Sequence, residues 1–429
     1  MEISILYNYF KECGKVTTDT RNCPEGSMFI ALKGETFNGN AFARQALEKG
    51  CRYAVVDEAE YADAPNIFLV DNCLETLQLL AREHRRALGT PIVGITGTNG
   101  KTTTKELIAT VLQKRYKTLY TQGNLNNHIG VPLTLLNLTE EHEMAVVEMG
   151  ANHPGEIRTL VNIVEPDCGM ITNVGKAHLE GFGSFEGVVK TKSELYDYLR
   201  LKENAFIFLD KDNEVLCQAS AGLESIGYGL EGEDLYVKGK LHACAPFLAF
   251  EWEHEGVVHD VNTHLIGAYN VKNALAAIAI GCRFGVPAEA VCEALNWYIP
   301  SNNRSQLTET EDNHLIVDAY NANPTSMMAA LENFRLMEVQ NKVAVLGDMK
   351  ELGEGSLDEH RKIVSFLQTC GFERTILVGA EFGKANAGFE HYPDVEAVKA
   401  LFAENKPVGK FVLIKGSNSM KLAQLKDIL

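Results

Sequence analysis

Short apolar stretches alternate with longer segments of mixed, helix-like pattern along most of this chain. Residues 91–95, 117–120, 144–148, 168–172 and 205–209 read as buried strands separated by helical patterns. That alternation predicts a mainly parallel sheet with helices on both faces. Over residues 236–266 the pattern changes: strand-like runs are divided by Glu253-His254-Glu255-Gly256, which predicts an antiparallel insertion. A second alternating unit, with strands at 315–318, 343–346, 375–378 and 411–414, predicts a smaller Rossmann-like domain. Residues 1–88 also alternate short strands and helices. They end in a helix over 74–88 that carries Arg82, Arg85 and Arg86. The expected architecture is α/β in three domains: 1–88, a central 89–303 and a C-terminal 304–429. No period of repeat-protein length stands out.

The central unit opens with Gly94-Ile95-Thr96-Gly97-Thr98-Asn99-Gly100-Lys101-Thr102-Thr103-Thr104, between a predicted strand and a predicted helix over 105–112. Strand, glycine-rich turn and helix is the setting of a phosphate-binding loop. Glycines let backbone N–H groups turn inward around an anion, and the helix N-terminus adds partial positive charge. Lys101 can reach the outer phosphates and the Thr102 hydroxyl can ligate Mg²⁺. The spacing is unusual: five residues separate Gly94 from Gly100, and only two separate Gly97 from it.

Further candidates follow the predicted strands, where open α/β sheets bind ligands. Glu148 ends the strand 144–148 and is placed to hold a metal. His178 lies on a glycine-containing loop after 168–172, in reach of a second Mg²⁺ or a phosphate. In the helix 188–200, Val188, Lys192, Leu195 and Leu199 share one apolar face, whereas Lys190, Glu194 and Asp197 share the face expected in water. Burial depresses a lysine pKa. Lys192 has two readings, a snorkelling side chain or a neutral amine that adds CO₂ to become an anionic carbamate. Asn124, Asn126 and Asn127 place amides beside glycines, able to bind polar substrate atoms or simply to shape a turn. Asn270, before the apolar helix 274–280, can read a base edge or cap that helix.

Composition adds bounds. At 429 residues the chain is long enough for two or three domains. No apolar run approaches a membrane span, and the first residues, Met1-Glu2-Ile3-Ser4, lack a basic segment, so neither membrane insertion nor a signal peptide is expected. The ten cysteines form no CxxC pair, which fits a reducing, cytoplasmic setting. A net charge of −17 speaks against a nucleic-acid partner.

The phosphate loop, with its spacing, resembles that of the ATP-dependent Mur ligases, which share a fold with folylpolyglutamate synthase. The resemblance extends through residues 123–132, Glu148-Met149-Gly150-Ala151-Asn152, 172–183, Asp318-Ala319-Tyr320-Asn321-Ala322-Asn323-Pro324, Leu346-Gly347-Asp348-Met349-Lys350-Glu351-Leu352-Gly353 and Lys415-Gly416-Ser417. Near the start, Asp19-Thr20-Arg21 and Ala31-Leu32-Lys33-Gly34-Glu35 resemble the family's nucleotide-sugar domain. Asn38-Gly39-Asn40, Val317 and Asn418 stand where many relatives have Asp-Gly-His, Asp and Arg.

The resemblance implies an ATP-dependent amide ligase acting through an acyl phosphate, with UDP-N-acetylmuramoyl-tripeptide and D-alanyl-D-alanine as partners. Gly97, Thr98, Asn99, Gly100, Lys101, Thr102 and Thr103 would hold ATP phosphates, and Asn270, Arg304 and Asp318 its base and ribose. Thr102 and Glu148 would bind one Mg²⁺; Glu148, His178 and carbamylated Lys192 would bind or support a second. Lys101, His178 and Lys192 would be the catalytic set. Thr20, Arg21, Lys33 and Gly34 would meet the uridine nucleotide. Asn124, Asn126, Asn127, Thr172, Asn321, Asn323, Lys415 and Ser417 would complete the substrate contacts. A monomer that closes its domains around nucleotide is expected. Rival expectations are a ligase for another amino acid or for folate, and a nucleotide switch that forms no bond.

Overall fold

A computed structural model describes residues 1–244, 246–300 and 306–429. Three sheets follow one another along the chain. The first, all parallel, holds β1 (Val16–Thr17), β2 (Met28–Ile30), β3 (Tyr53–Val56) and β4 (Ile67–Leu69) in that order. The central sheet has nine strands: β5 (Ile92–Thr96), β6 (Thr118–Tyr120), β7 (Met144–Glu148), β8 (Cys168–Ile171), β9 (Phe206–Asp210), β10 (Glu224–Gly229), β11 (Val237–Cys244), β12 (Phe247–His254) and β13 (Val257–Ile266). Their spatial order is β13-β12-β11-β10-β9-β8-β5-β7-β6.

The antiparallel strands β11–β13 are present, but they are not a separate insertion. β11 pairs parallel with β10, and so the hairpins prolong the central sheet. The third sheet contains β14 (Gln306–Glu309), β15 (Asn313–Asp318), β16 (Lys342–Gly347), β17 (Arg374–Val378), β18 (Glu390–Tyr392) and β19 (Lys410–Lys415), ordered β14-β15-β19-β16-β17-β18. All its pairs are parallel except β14 with β15.

Burial explains the continuous apolar runs in the middle strands. β5 and β7 are buried along their whole length, as helix-covered parallel strands must be. Their side chains alternate between two cores. Ile92, Ala145 and Val147 pack into one; Val93, Ile95, Met144 and Val146 pack into the other. The first core runs without a break into the N-terminal sheet through the helix Cys73–Leu88, whose Leu77, Leu80 and Ala81 are buried. That helix begins with the Asn72 side chain accepting the Glu75 N–H and ends at left-handed Gly89.

Connections place the site. After β5 the chain builds β6 and β7 on one side, then β8 to β13 on the other. The reversal occurs at β5, and such a switch point leaves a crevice at the carboxyl ends of the strands.

Candidate active site

The crevice is a cleft of about 830 Å³ between the central and C-terminal sheets. Its floor is the loop between β5 and the helix Lys101–Leu112. Two glycines are obligatory there. Gly97 has φ +144°, and a Cβ on it would lie 2.0 Å from the Thr172 hydroxyl oxygen. Gly100, at φ +77°, sits where a Cβ would lie 2.7 Å from the Asn273 amide oxygen.

The loop is tied to the segment after β8. The Thr98 N–H donates to Asn173 O (2.9 Å). The Asn99 N–H donates to the Asn173 side chain (3.0 Å), and Asn99 O accepts from the Thr172 hydroxyl (2.7 Å) and the Asn173 amide (3.0 Å). The Thr98 hydroxyl accepts the Gly175 N–H (3.1 Å). Lys101 curls back, its Nζ donating to Gly97 O (2.9 Å) and Thr98 O (3.0 Å). Thr172 therefore supports the loop rather than facing the cleft. Asn173 and Asn273, both lining the cleft, were not among the candidate residues. Only the pairing of distant segments gives them a role.

Beside the loop, buried Glu148 accepts the Thr102 hydroxyl (2.9 Å) on one carboxylate oxygen and the Asn126 amide (2.7 Å) on the other. Its own N–H donates to Thr121 (3.0 Å). A carboxylate and a hydroxyl side by side at the head of a phosphate loop form the hard-oxygen donor set that Mg²⁺ requires.

Lys192 is 2% exposed, on the helix Phe185–Arg200. Its Nζ donates to Ala151 O (3.1 Å) and lies over the Phe182 ring (5.3 Å from its centroid). Among the described residues it forms no ion pair. Burial, and then the nearby Lys101 charge, push its pKa well below the usual lysine value. The apolar stripe Val188, Lys192, Leu195, Leu199 is buried as its spacing implied. Glu194 departs from expectation: it is 5% exposed. Its carboxylate caps the helix Glu156–Val164, accepting from the Gly155 N–H (3.0 Å) and the Arg158 N–H (2.8 Å).

His178 lies at φ +50° and lines the cleft. Burial lowers its pKa, opposed by the Glu351 carboxylate hydrogen-bonded to its Nδ1.

The C-terminal sheet supplies the opposite wall. Lys415, 1% exposed, pairs with Asp318 (2.5 Å) and reaches Asn321 O (3.4 Å). Asp318, Tyr320, Asn321 and Lys415 line the cleft with Tyr269, Asn270 and Asn273 from the central unit. The Asn270 side chain donates to Ile266 O (2.8 Å) and accepts from the Asn273 amide (2.8 Å). Asn323 caps the helix Pro324–Leu336 through the Ser326 N–H (2.9 Å), and its amide donates to the Asn99 side chain (2.7 Å) across the cleft. The Ser417 hydroxyl accepts the Lys350 N–H (3.0 Å).

Thr103, Asn126 and Asn127 line the cleft as well. Asn127 uses its side-chain oxygen to accept from the Ile129 (3.1 Å) and Gly130 (2.8 Å) N–H groups, while Asn124 is exposed. Arg304 lies outside the described residues. At the N-terminal end of the cleft, Gln78 donates to His128 O (3.0 Å), and Leu74 joins the lining.

Thr20, Arg21, Lys33 and Gly34 do not line this cleft. Arg21 is clamped on Asp19 (2.7–3.0 Å), which holds the Asp19 carboxyl down at about 2. Lys33 bridges Asp57 and Glu58, both at 2.9 Å. Thr20 O accepts from Lys49 (2.7 Å), and Gly34 packs under the Phe37 ring.

Comparison with known proteins extends this geometry. Residues 13–85 match the model "Mur ligase family, catalytic domain", 95–281 the "Mur ligase middle domain" and 303–418 the "Mur ligase, glutamate ligase domain". The chain is 35% identical to UDP-N-acetylmuramoyl-tripeptide–D-alanyl-D-alanine ligase of Bacillus subtilis, covering 96% of this chain and 93% of that one. Among solved structures it is similar to MurF from Acinetobacter baumannii, with a TM-score of 0.88 at 29% identity over 99% of this chain and 97% of that one. It is also similar to MurF ligase from Thermotoga maritima in complex with ADP, with a TM-score of 0.86 at 28% identity over 96% of each chain. The chain belongs to the Mur ligase family.

Proposed function

We infer that this Mur ligase is an ATP-dependent enzyme that joins D-alanyl-D-alanine to UDP-N-acetylmuramoyl-tripeptide in peptidoglycan precursor synthesis. The observation that carries this reading is the cleft itself. A glycine cradle with Lys101 faces a second sheet edge, and a relative 35% identical over 96% of this chain carries that activity in its name.

The chemistry proceeds in two displacements. A substrate carboxylate oxygen attacks the γ-phosphorus of ATP; the bond to ADP breaks and an acyl phosphate forms. The dipeptide amine then attacks the acyl carbon and expels phosphate, which leaves an amide and releases the amine's proton. Loop N–H groups, the helix N-terminus at Lys101 and the Lys101 ammonium would offset charge on the transferring phosphoryl group. Gly97 to Thr103 would hold the phosphates. Asn270, Arg304 and Asp318 would flank the base and ribose, beside Tyr269 and Tyr320.

One Mg²⁺ fits the Thr102 hydroxyl and the Glu148 carboxylate; a second would be held by Glu148, an imidazole nitrogen of His178 and a carbamate on Lys192. When bound they would neutralise phosphate charge and orient its oxygens. The carbamate is supported by burial: a neutral Lys192 amine adds CO₂ and releases one proton, and the anion formed would lie near Lys101. For the acceptor, we assign Thr20, Arg21, Lys33 and Gly34 to the uridine nucleotide, and Asn124, Asn126 and Asn127 to the peptide. Asn321 and Lys415 would meet the dipeptide. Thr172, Asn323 and Ser417 serve that end of the site by shaping its loops.

No helix among the described residues is long and apolar enough to cross a membrane. We place the enzyme in the cytoplasm as a monomer.

Phosphate release from Mg·ATP tests the reading. Release is expected to need both UDP-N-acetylmuramoyl-tripeptide and D-alanyl-D-alanine and to yield a product heavier by one dipeptide less water. Release indifferent to the dipeptide would instead favour a ligase for another amino acid or a nucleotide switch.

A further inference from the structure

His178 sits on the central unit, but its ring partner comes from the C-terminal one. Glu351 lies in the loop after β16, at φ +63°, an uncommon conformation for a glutamate. It makes two contacts with the same short segment. Its carboxylate meets His178 Nδ1, and its backbone carbonyl accepts the Glu180 N–H (3.3 Å).

The loop that presents it is anchored at several points. The Met349 N–H donates to Nε2 of buried His360 (3.1 Å), and the Lys350 N–H to the Ser417 hydroxyl (3.0 Å). Asp348, fully buried, accepts the Glu381 (3.1 Å) and Phe382 (2.9 Å) N–H groups. A glutamate whose side chain is 54% exposed, on a loop anchored this way and in a backbone conformation that few residues favour, is presented to a histidine on the facing unit.

We propose that Glu351 is a positioning residue for the ligation, delivered by the C-terminal unit to fix the ring of His178. The proposal rests on His178 serving the phosphate-metal site described above. A carboxylate on Nδ1 selects the tautomer that carries its proton there and leaves the Nε2 lone pair for the cleft. When the two units separate, His178 loses that partner, and the site is complete only in the closed arrangement. Other contacts also join the two units, among them Asn323 to Asn99 (2.7 Å) and Lys176 to Glu359 (3.1 Å), and neither of these touches the His178 ring.

The test compares Glu351→Ala, Glu351→Gln and Glu359→Gln in the full-length enzyme. Nitrogen-15 NMR of the histidine side chains, with His178 assigned from a His178→Gln spectrum, is recorded with ADP and no divalent metal, so that no cation occupies Nε2. Wild type is expected to show His178 protonated on Nδ1. Glu351→Ala is expected to shift population to the Nε2-protonated form and to lower kcat by about 10–100-fold, with an unchanged unfolding midpoint. Glu351→Gln, whose amide oxygen accepts the same proton, should fall between wild type and alanine. Glu359→Gln, which breaks a contact without touching His178, should leave the tautomer unchanged and kcat within about twofold. An Nε2-protonated His178 in wild type, or a Glu351→Ala enzyme with unchanged tautomer and kcat, would overturn the proposal. Failure of the ligase reading looks different, since wild type itself would then form no amide. If Glu351→Ala unfolds, the wild-type tautomer and Glu351→Gln decide the question.

Discussion

The central and C-terminal sheets bring similar edges to one cleft yet treat buried charge in opposite ways. On the C-terminal side the charges are matched: Lys415 with Asp318, Lys350 with Asp348, and Asp348 again with two backbone N–H groups. Beside the phosphate loop on the central side, among the described residues, Glu148 meets neutral donors and Lys192 a carbonyl and a ring, whereas Asp210, away from the cleft on the same sheet, has Lys272. Leaving a buried charge without a counter-charge is costly. A fold that keeps such groups beside a phosphate loop keeps them for ligands that supply the missing charge. The matched set holds the opposite wall in shape.

The sharpest way to break this contrast is to remove Lys101. Lys101→Ala should lower kcat by about 10²–10³-fold or more with the fold intact, as steady-state phosphate release would register. Near-normal turnover would deprive the central edge of its defining cation. Lys192→Ala should cost a comparable factor. Carbon-13 NMR under ¹³CO₂ should show a carbamate signal in wild type that this variant lacks; a silent wild-type spectrum would return Lys192 to a buried amine.

Gly97→Ala places a methyl on the Thr172 hydroxyl. The strain, about 1–3 kcal/mol, should appear as roughly 10–100-fold weaker Mg·ATP binding by calorimetry.

The matched side should answer in stability as well as in turnover, since Lys415 and Asp318 line the cleft. Lys415→Met leaves Asp318 without its partner and should reduce unfolding free energy by about 1–3 kcal/mol. Should activity fall while stability holds, the pair would serve ligands alone and not the shape of the wall.

The smallest effect expected is from pH. Burial lowers the pKa of His84 and His360, so the folded state binds fewer protons than the unfolded chain. Their contribution is complete above the unfolded value, about 6.5, and is lost as pH falls through the depressed folded values. The unfolding midpoint should drop between pH 7 and pH 5, and His360→Asn should flatten that drop.

Most of the architecture was legible in the chain. Strands β5, β7, β8, β9 and the parallel strands of the third sheet stand out as apolar runs because helices cover both faces. Lys192 was visible because a charge on an apolar stripe breaks a local period. Glu194 was not. Its burial comes from the helix Glu156–Val164, which needs a cap and lies far off in sequence. Asn173, Asn273 and Glu351 escaped for the same reason, since each works through a partner on another segment. The strands β11–β13 were read correctly as antiparallel. Their attachment to β10 depends on pairing that alternation does not encode.

The account turns on one claim, that the acceptor carboxylate is activated as an acyl phosphate before the amine attacks. UDP-N-acetylmuramoyl-tripeptide labelled with oxygen-18 in its terminal carboxylate tests it in one turnover. Attack on the γ-phosphorus and expulsion of phosphate should carry one labelled oxygen into the inorganic phosphate, read by mass spectrometry. Phosphate released without label, while amide still forms, would contradict the mechanism.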